Sequence, residues 1–182
     1  MAGGGRVHDR AILDALENID PEALEITVWR VARKGRDPLR GAVANGRWNA
    51  VGEFEVLYTS AEPDGAIAEV GYRLSLEPVW PSKIEHQLHH LGIKAERALR
   101  LDNLAQLEKF GVDVTRFESF EYTATQAVAA AAYFLEFDAL IVPSARFKTT
   151  NIVLFLDRIR TPPELLSTEN VDWAKWRARS RR

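Results

Sequence analysis

The sequence predicts one mixed α/β domain, and three observations carry that reading. Runs rich in β-branched and aromatic residues occur at 25–32, 54–60, 138–142 and 151–156. Apolar residues recur at the helical spacing in 8–19, 64–74 and 123–136. The two kinds of segment interleave along 182 residues that are 46% hydrophobic and 27% charged, enough to enclose a core around a recessed site.

The first segment places Ile12, Leu13, Leu16 and Ile19 on one helical face, behind a glycine-rich start expected to fray, and Asp20-Pro21 supplies a stop. EITVWRVA at 25–32 alternates as a strand, with Ile26, Val28 and Arg30 on one side and Thr27, Trp29 and Val31 on the other. A connection containing Pro38, Gly41 and Gly46 leads to GRWN at 46–49 and then to a strand, FEVLYTS, whose Phe54, Val56 and Tyr58 share a face. DGAIAEVGYRL at 64–74 predicts a helix capped by Asp64, with Ala66, Ile67 and Val70 apolar and Glu69 at the stripe's edge. HQLHHLGIKAERALRL at 86–101 fits helices or two short strands around Gly92; the alternation favours extended chain over 88–93 and 98–101. Alanine-rich 123–136 predicts a close-packed helix. DALIV then reads as a buried strand delivering Pro143 and Ser144 to its end, and NIVLFL at 151–156 as another. Pro162-Pro163 marks the change to a C-terminal segment. The chain thus divides into an N-terminal helical segment at 1–24, a main domain at 25–161 and a basic appendage at 162–182.

Composition removes several chemistries. Without cysteine there is no disulfide, thiolate-held cluster, cysteine nucleophile or Cys-based zinc site. No apolar run approaches the roughly 20 residues that span a bilayer, and MAGGGRVHDR lacks a secretory apolar region, so a cytoplasmic location without membrane contact is expected. A net charge of -2 gives no overall attraction to nucleic acid. The local exception is WAKWRARSRR at 173–182, which suits a solubilising or partner-contacting end better than an RNA-binding one, since no stacking module accompanies it. His86 and His90 lie four apart, but HExxH and a third ligand are missing, so no metal is expected. There is neither a P-loop nor a GxGxxG fingerprint.

Several polar residues stand beside these elements. Arg30 and Arg47 could each grip a phosphate in the bidentate geometry of guanidinium, or could simply be exposed or salt-bridged; Trp29 and Trp48 beside them favour a restrained, drier setting. Tyr58 reads either as a ring that stacks on a ligand base or as a packed sheet-edge tyrosine. Glu69 could orient ribose hydroxyls and stabilise developing positive charge, or pair with Arg73 at i,i+4. Ser144 is a ligand donor or a turn residue outside any GxSxG elbow, and Asn151 a ligand amide or a cap.

Taken in order, WR at 29–30, GRWN at 46–49, LYTS at 57–60, AIAE at 66–69 and IVPSAR at 141–146 resemble the RES-domain family, named for an Arg, a Glu and a Ser. The resemblance spans roughly residues 25–157; RGAVANGRWN departs from it by lacking the paired glycine often found before the arginine. It implies a compact fold similar to ADP-ribosyltransferases, with short strands around an NAD-binding cleft, and an NAD+-consuming toxin that cleaves the nicotinamide–ribose bond by phosphorolysis or hydrolysis. A protein ADP-ribosyltransferase toxin is the near alternative, and a non-enzymatic interaction domain a further one. On this likeness Arg30, Tyr58, Glu69 and Ser144 look like catalytic residues, and Arg30, Arg47, Tyr58 and Asn151 like NAD+-binding ones. NAD+ is the implied substrate, with phosphate, water or a protein as acceptor. The implied partner is an antitoxin whose DNA-binding domain does the DNA recognition while another part blocks the cleft.

Overall fold

The structure, a computed structural model, describes residues 7–180. The expected fraying of residues 1–6 falls outside the described residues, as do Arg181 and Arg182 of the basic end.

Helix α1, Arg10–Glu17, begins where the Asp9 carboxylate accepts the Ala11 N–H at 2.8 Å. It lays Ile12, Leu13 and Leu16 on the main core, as their spacing predicts, and Ile19, just past the C-cap Asn18, packs there too. Pro21 ends the approach, and strand β1, Glu22–Arg33, opens three residues before the predicted 25. Strand β2, Val56–Ser60, sets Val56 and Tyr58, with Phe54 just before it, against one core. Helix α2, Pro63–Ser75, starts earlier than predicted because Pro63 is pre-set for the first helical position. Glu62 is therefore the N-cap, and Asp64, expected there, accepts instead from Arg179 at 3.2 Å.

Residues 86–101 depart further from expectation. They form a single strand, β3, His86–Arg100, 15 residues long. Gly92 does not interrupt it, because β1 pairs continuously across that point, with Ile26 opposite Ile93, Thr27 opposite Gly92 and Val28 opposite Leu91. The same pairing makes β1 12 residues long, so the expected short strands are found in β2 and the later pair but not here. Extended chain also separates His86 from His90 by roughly 13 Å, four residues at about 3.3 Å each.

A short helix α3, Leu104–Glu108, and a 3-10 turn, Val114–Arg116, lead to helix α4, Thr123–Phe134. Strands β4, Ala139–Pro143, and β5, Thr150–Phe155, follow as the sequence predicts. Beyond the Pro162-Pro163 break the chain rejoins the sheet as β6, Glu164–Asn170, and closes with helix α5, Trp173–Ser180.

The strand order is β1-β2-β5-β4-β3-β6, with β1 also paired to β3. That second pairing bends the first five strands into a barrel-like ring. Val28, Leu57, Leu91, Ile93, Ile141, Ile152 and Leu154, drawn from all five, fill its inside. The alternate residues of β2, β4 and β5, including Val56, Val142, Val153 and Phe155, face outward under α1 and α4. Small residues make that cover tight: Ala129, Ala131 and Ala132 of α4 are fully or almost fully buried. A third, smaller cluster seats α2 through Ala66 on Val31 and Leu88.

β3 changes partner along one edge, pairing β6 over 87–92 and β4 over 98–100. Between them it bulges: three steps, Ala95 to Ala98, match two on β1, Leu24 to Glu22. The bulge turns consecutive N–H groups toward the gap, and the buried Asp138 carboxylate accepts both, Glu96 N–H at 2.7 Å and Arg97 N–H at 3.0 Å. Asp138→Ala removes both acceptors and is expected to cost about 2–3 kcal/mol. Thermal unfolding should show this as a fall in Tm of roughly 5–10 °C for a chain of this size.

Candidate active site

Glu69 sits near the middle of α2, and its position depends on how closely α2 starts against the sheet. A Cβ on Gly65 would lie 2.3 Å from Ser60 Oγ and 2.6 Å from Thr149 Cγ2, so only glycine allows this approach. One turn later Glu69 Oε1 accepts two hydrogen bonds, from Ser144 Oγ at 2.7 Å and Asn151 Nδ2 at 3.0 Å. Ser144 follows the end of β4, and Asn151 pairs with both Ser60 of β2 and Val142 of β4. The carboxylate is therefore fixed by two sheet-borne groups. Both bonds use Oε1, which leaves Oε2 as the oxygen directed elsewhere. The alternative pairing of Glu69 with Arg73 does not occur among the described residues; Arg73 lines the same cleft.

That cleft has a volume of about 270 Å³ and is lined by Arg30, Arg47, Tyr58, Glu69 and Asn151, together with Arg146 and others. Ser144 stands behind Glu69. Four arginines, Arg30, Arg47, Arg73 and Arg146, face one carboxylate in the lining, so the cleft is electropositive.

Arg30 continues the face of Val28 to the end of the ring. Its guanidinium donates to two carbonyls, Tyr58 O at 3.0 Å and Arg40 O at 3.2 Å, while Nε is buried without a partner. Burial pulls its pKa below the ordinary arginine value, only partly offset by Asp37. Arg47 has the same kind of partners: it donates to Phe117 O and Ser119 O, and its guanidinium lies 4.7 Å from the Phe117 ring centroid and 4.9 Å from that of Tyr122. Burial lowers its pKa as well, opposed chiefly by Tyr122 and Glu69. Neutral carbonyl partners orient both cations without cancelling their charge. Such groups are prepared for an anion with several oxygens, as a pyrophosphate is.

Tyr58 occupies the middle of β2 rather than its end. Its hydroxyl donates to Asn49 Oδ1 at 2.7 Å and accepts Trp48 N–H at 2.9 Å. It therefore anchors GRWN, and its only proton is already committed. Gly46 is part of the same fit, since a Cβ there would meet the Tyr58 hydroxyl at 2.5 Å. Burial pushes the phenol well above its ordinary pKa.

The far side of this loop is held by residues that the sequence reading passed over. Thr125 Oγ1 donates to Arg47 O at 2.6 Å, and Gln126 Nε2 donates to Gly46 O at 2.8 Å. Two polar residues in the first turns of an otherwise alanine-rich apolar helix were the available signal. Arg146 was also in view, two residues after Ser144. It crosses the Tyr72 ring at 3.6 Å and lines the cleft rim. Among the described residues no group of three or more His, Cys, Asp or Glu is placed to hold a metal ion.

A protein-family model described as the RES domain matches residues 27–174. A curated protein from Mycobacterium tuberculosis (strain ATCC 25618 / H37Rv), described as a "Probable NAD(+) phosphorylase", is 34% identical over 109 residues, 60% of this chain. The chain spans 50% of that relative's length. Among solved structures, a chain of the M. tuberculosis MbcT-MbcA toxin-antitoxin complex superposes with a TM-score of 0.81 at 21% identity, covering 93% of this chain and 97% of that one. At that identity the likeness is one of fold, a mixed α/β architecture around a barrel-like sheet.

Tyr58→Phe should leave the Trp48 N–H and Asn49 Oδ1 without the hydroxyl, lowering stability by about 1–3 kcal/mol in urea unfolding. It also changes the pH dependence. An unfolded tyrosine ionises near pH 10, whereas folded Tyr58 keeps its proton to higher pH. The unfolded state therefore binds fewer protons above that point, so this contribution is complete below about pH 10 and is lost as pH rises. Stability measured from pH 8 to 11 should decline less steeply in Y58F than in the wild type.

Proposed function

The chain belongs to the RES-domain family, and from that premise we propose that it is an NAD+-consuming toxin that cleaves the nicotinamide–ribose bond by phosphorolysis or hydrolysis. The observation that carries the reading is one carboxylate, Glu69, held by Ser144 and Asn151 in a cleft whose other charged lining groups are arginines. The description of the curated relative supports NAD+ as substrate. All six site residues fall within 25–161, which we take as the catalytic region with an ADP-ribosyltransferase-like fold.

Arg30 and Arg47 would bind the pyrophosphate. Glu69, aimed by Ser144 and Asn151, would orient the nicotinamide ribose and stabilise the positive charge that develops on it as its C1–nitrogen bond lengthens. The bonding electrons leave with nicotinamide, whose ring becomes neutral. Phosphate then bonds to C1 to give ADP-ribose 1''-phosphate, or water does so and releases a proton to give ADP-ribose. Tyr58 serves this chemistry by holding the loop that carries Arg47. Transfer to a protein side chain is the second reading, because the same bond is broken and only the acceptor differs.

The fold shared with a chain of a toxin-antitoxin complex supports an antitoxin partner. A segment of that partner seated over Arg30 and Arg47 would block the substrate, and DNA recognition would belong to the partner. A cytoplasmic site of action follows from NAD+ as target; no helix among the described residues is long and apolar enough to cross a membrane.

Glu69→Gln keeps the size of the side chain and removes its charge. In the folded protein it should reduce NAD+ consumption by about 100-fold or more, and unchanged turnover would overturn the assignment. Mass spectrometry of products formed with and without phosphate, and with cell extract, assigns the acceptor: ADP-ribose 1''-phosphate, free ADP-ribose or modified protein.

A further inference from the structure

A second concavity of about 830 Å³ lies on the other side of α2, between that helix and α5, and Arg146 lines both it and the cleft. Its walls include Tyr72, Trp80, Trp176 and Arg177. We infer that this groove binds the adenylate half of the dinucleotide, with Arg146 at the junction; the inference rests on NAD+ being the substrate.

Size is the first argument. The cleft, about 270 Å³, is smaller than the roughly 300–1,000 Å³ of pockets that enclose drug-sized ligands. A molecule with two nucleosides joined by pyrophosphate is at least drug-sized, so part of it must lie outside so small a cleft. Continuity is the second. From Arg47, over Tyr122, the ring contacts run to Phe120 at 6.2 Å, then to Tyr72 at 6.3 Å, and Arg146 lies over Tyr72. A chain of aromatic and cationic groups thus leads from the proposed pyrophosphate site into the groove.

The groove's chemistry is the third argument. Trp80 and Trp176 lie near-parallel with centroids 6.4 Å apart, and the Arg177 guanidinium is 4.7 Å from the Trp80 centroid. Aromatic faces beside arginine suit a flat base attached to phosphate. Arg179 is tied to Asp64 at 3.2 Å. Glu77 also lines the groove; it opposes an acidic peptide and offers an acceptor for a ribose hydroxyl or an exocyclic amine. The basic C-terminal segment thereby supplies part of the substrate site.

The test uses steady-state NAD+ consumption by the full chain and its Trp80→Ala and Arg177→Glu variants, with circular dichroism to verify folding. In folded variants KM should rise about tenfold, well beyond any fall in kcat, and competitive inhibition by adenosine 5′-monophosphate should weaken by the same factor. Unchanged KM and inhibition in folded R177E, or an AMP that does not compete, overturns the inference. Should W80A misfold, R177E alone decides. A wild-type chain that consumes no NAD+ refutes the parent reading. Calorimetry with AMP then still decides the groove: binding lost in R177E supports it, and no binding to the wild type overturns it.

Discussion

The β1–β3 ladder, running from Glu22 beside Ala98 to Arg33 beside His86, is the contact from which the rest of the architecture follows. It joins strands separated by more than fifty positions and closes a sheet that would otherwise have an open edge along β1. Closure creates an interior that Val28, Leu91 and Ile93 can fill from the two long strands while Leu57, Ile141, Ile152 and Leu154 enter from the others. It also gives α2 a firm seat, since Ala66 packs on both Val31 and Leu88. Arg30 and Glu69 reach a common cleft because one belongs to this ladder and the other to the helix lying on it.

The arginines divide into two groups by the partners they keep. Arg100 is bound by Glu22 at 2.5 Å and Asp102 at 2.8 Å, so its charge is cancelled and it braces the sheet. Arg30 and Arg47 are directed by carbonyl oxygens and aromatic faces, and their charge remains available. Burial lowers the pKa of both, the sign expected where a cation is desolvated without a bonded counter-ion. A bound anion would offset that desolvation.

Orientation comes from outside the cleft as much as from within it. Ser144 and Asn151 turn Glu69, while Tyr58, Thr125 and Gln126 hold the loop that presents Arg47. These supports come from β2, β5, α4 and the residue that follows β4, next to a largely buried part of the molecule. Glu69 and the loop of Arg47 are thereby braced by ordered parts of the fold, the condition under which small polar groups keep a fixed direction.

The strands at 54–60, 138–142 and 151–156 and the helices at 8–19 and 123–136 were legible in the sequence because each follows from a local period of apolar residues. The order of the motif residues was legible through the family resemblance, although Tyr58 and Glu69 stand inside β2 and α2 rather than at their ends. Pairing was not. Gly92 reads as a break until β1 lies along it, and ELLSTEN, exposed along its whole length as β6, has no apolar alternation to announce a strand. The junction of Glu69 with residues 75 and 82 positions away, and the engagement of the Tyr58 hydroxyl by its own loop, also belong to tertiary structure. Periodicity is a property of neighbours along the chain, so the sequence determined which segments could be helix or strand and which polar groups they carry. Which of those groups meet is set by long-range packing, and only the closed sheet decided it.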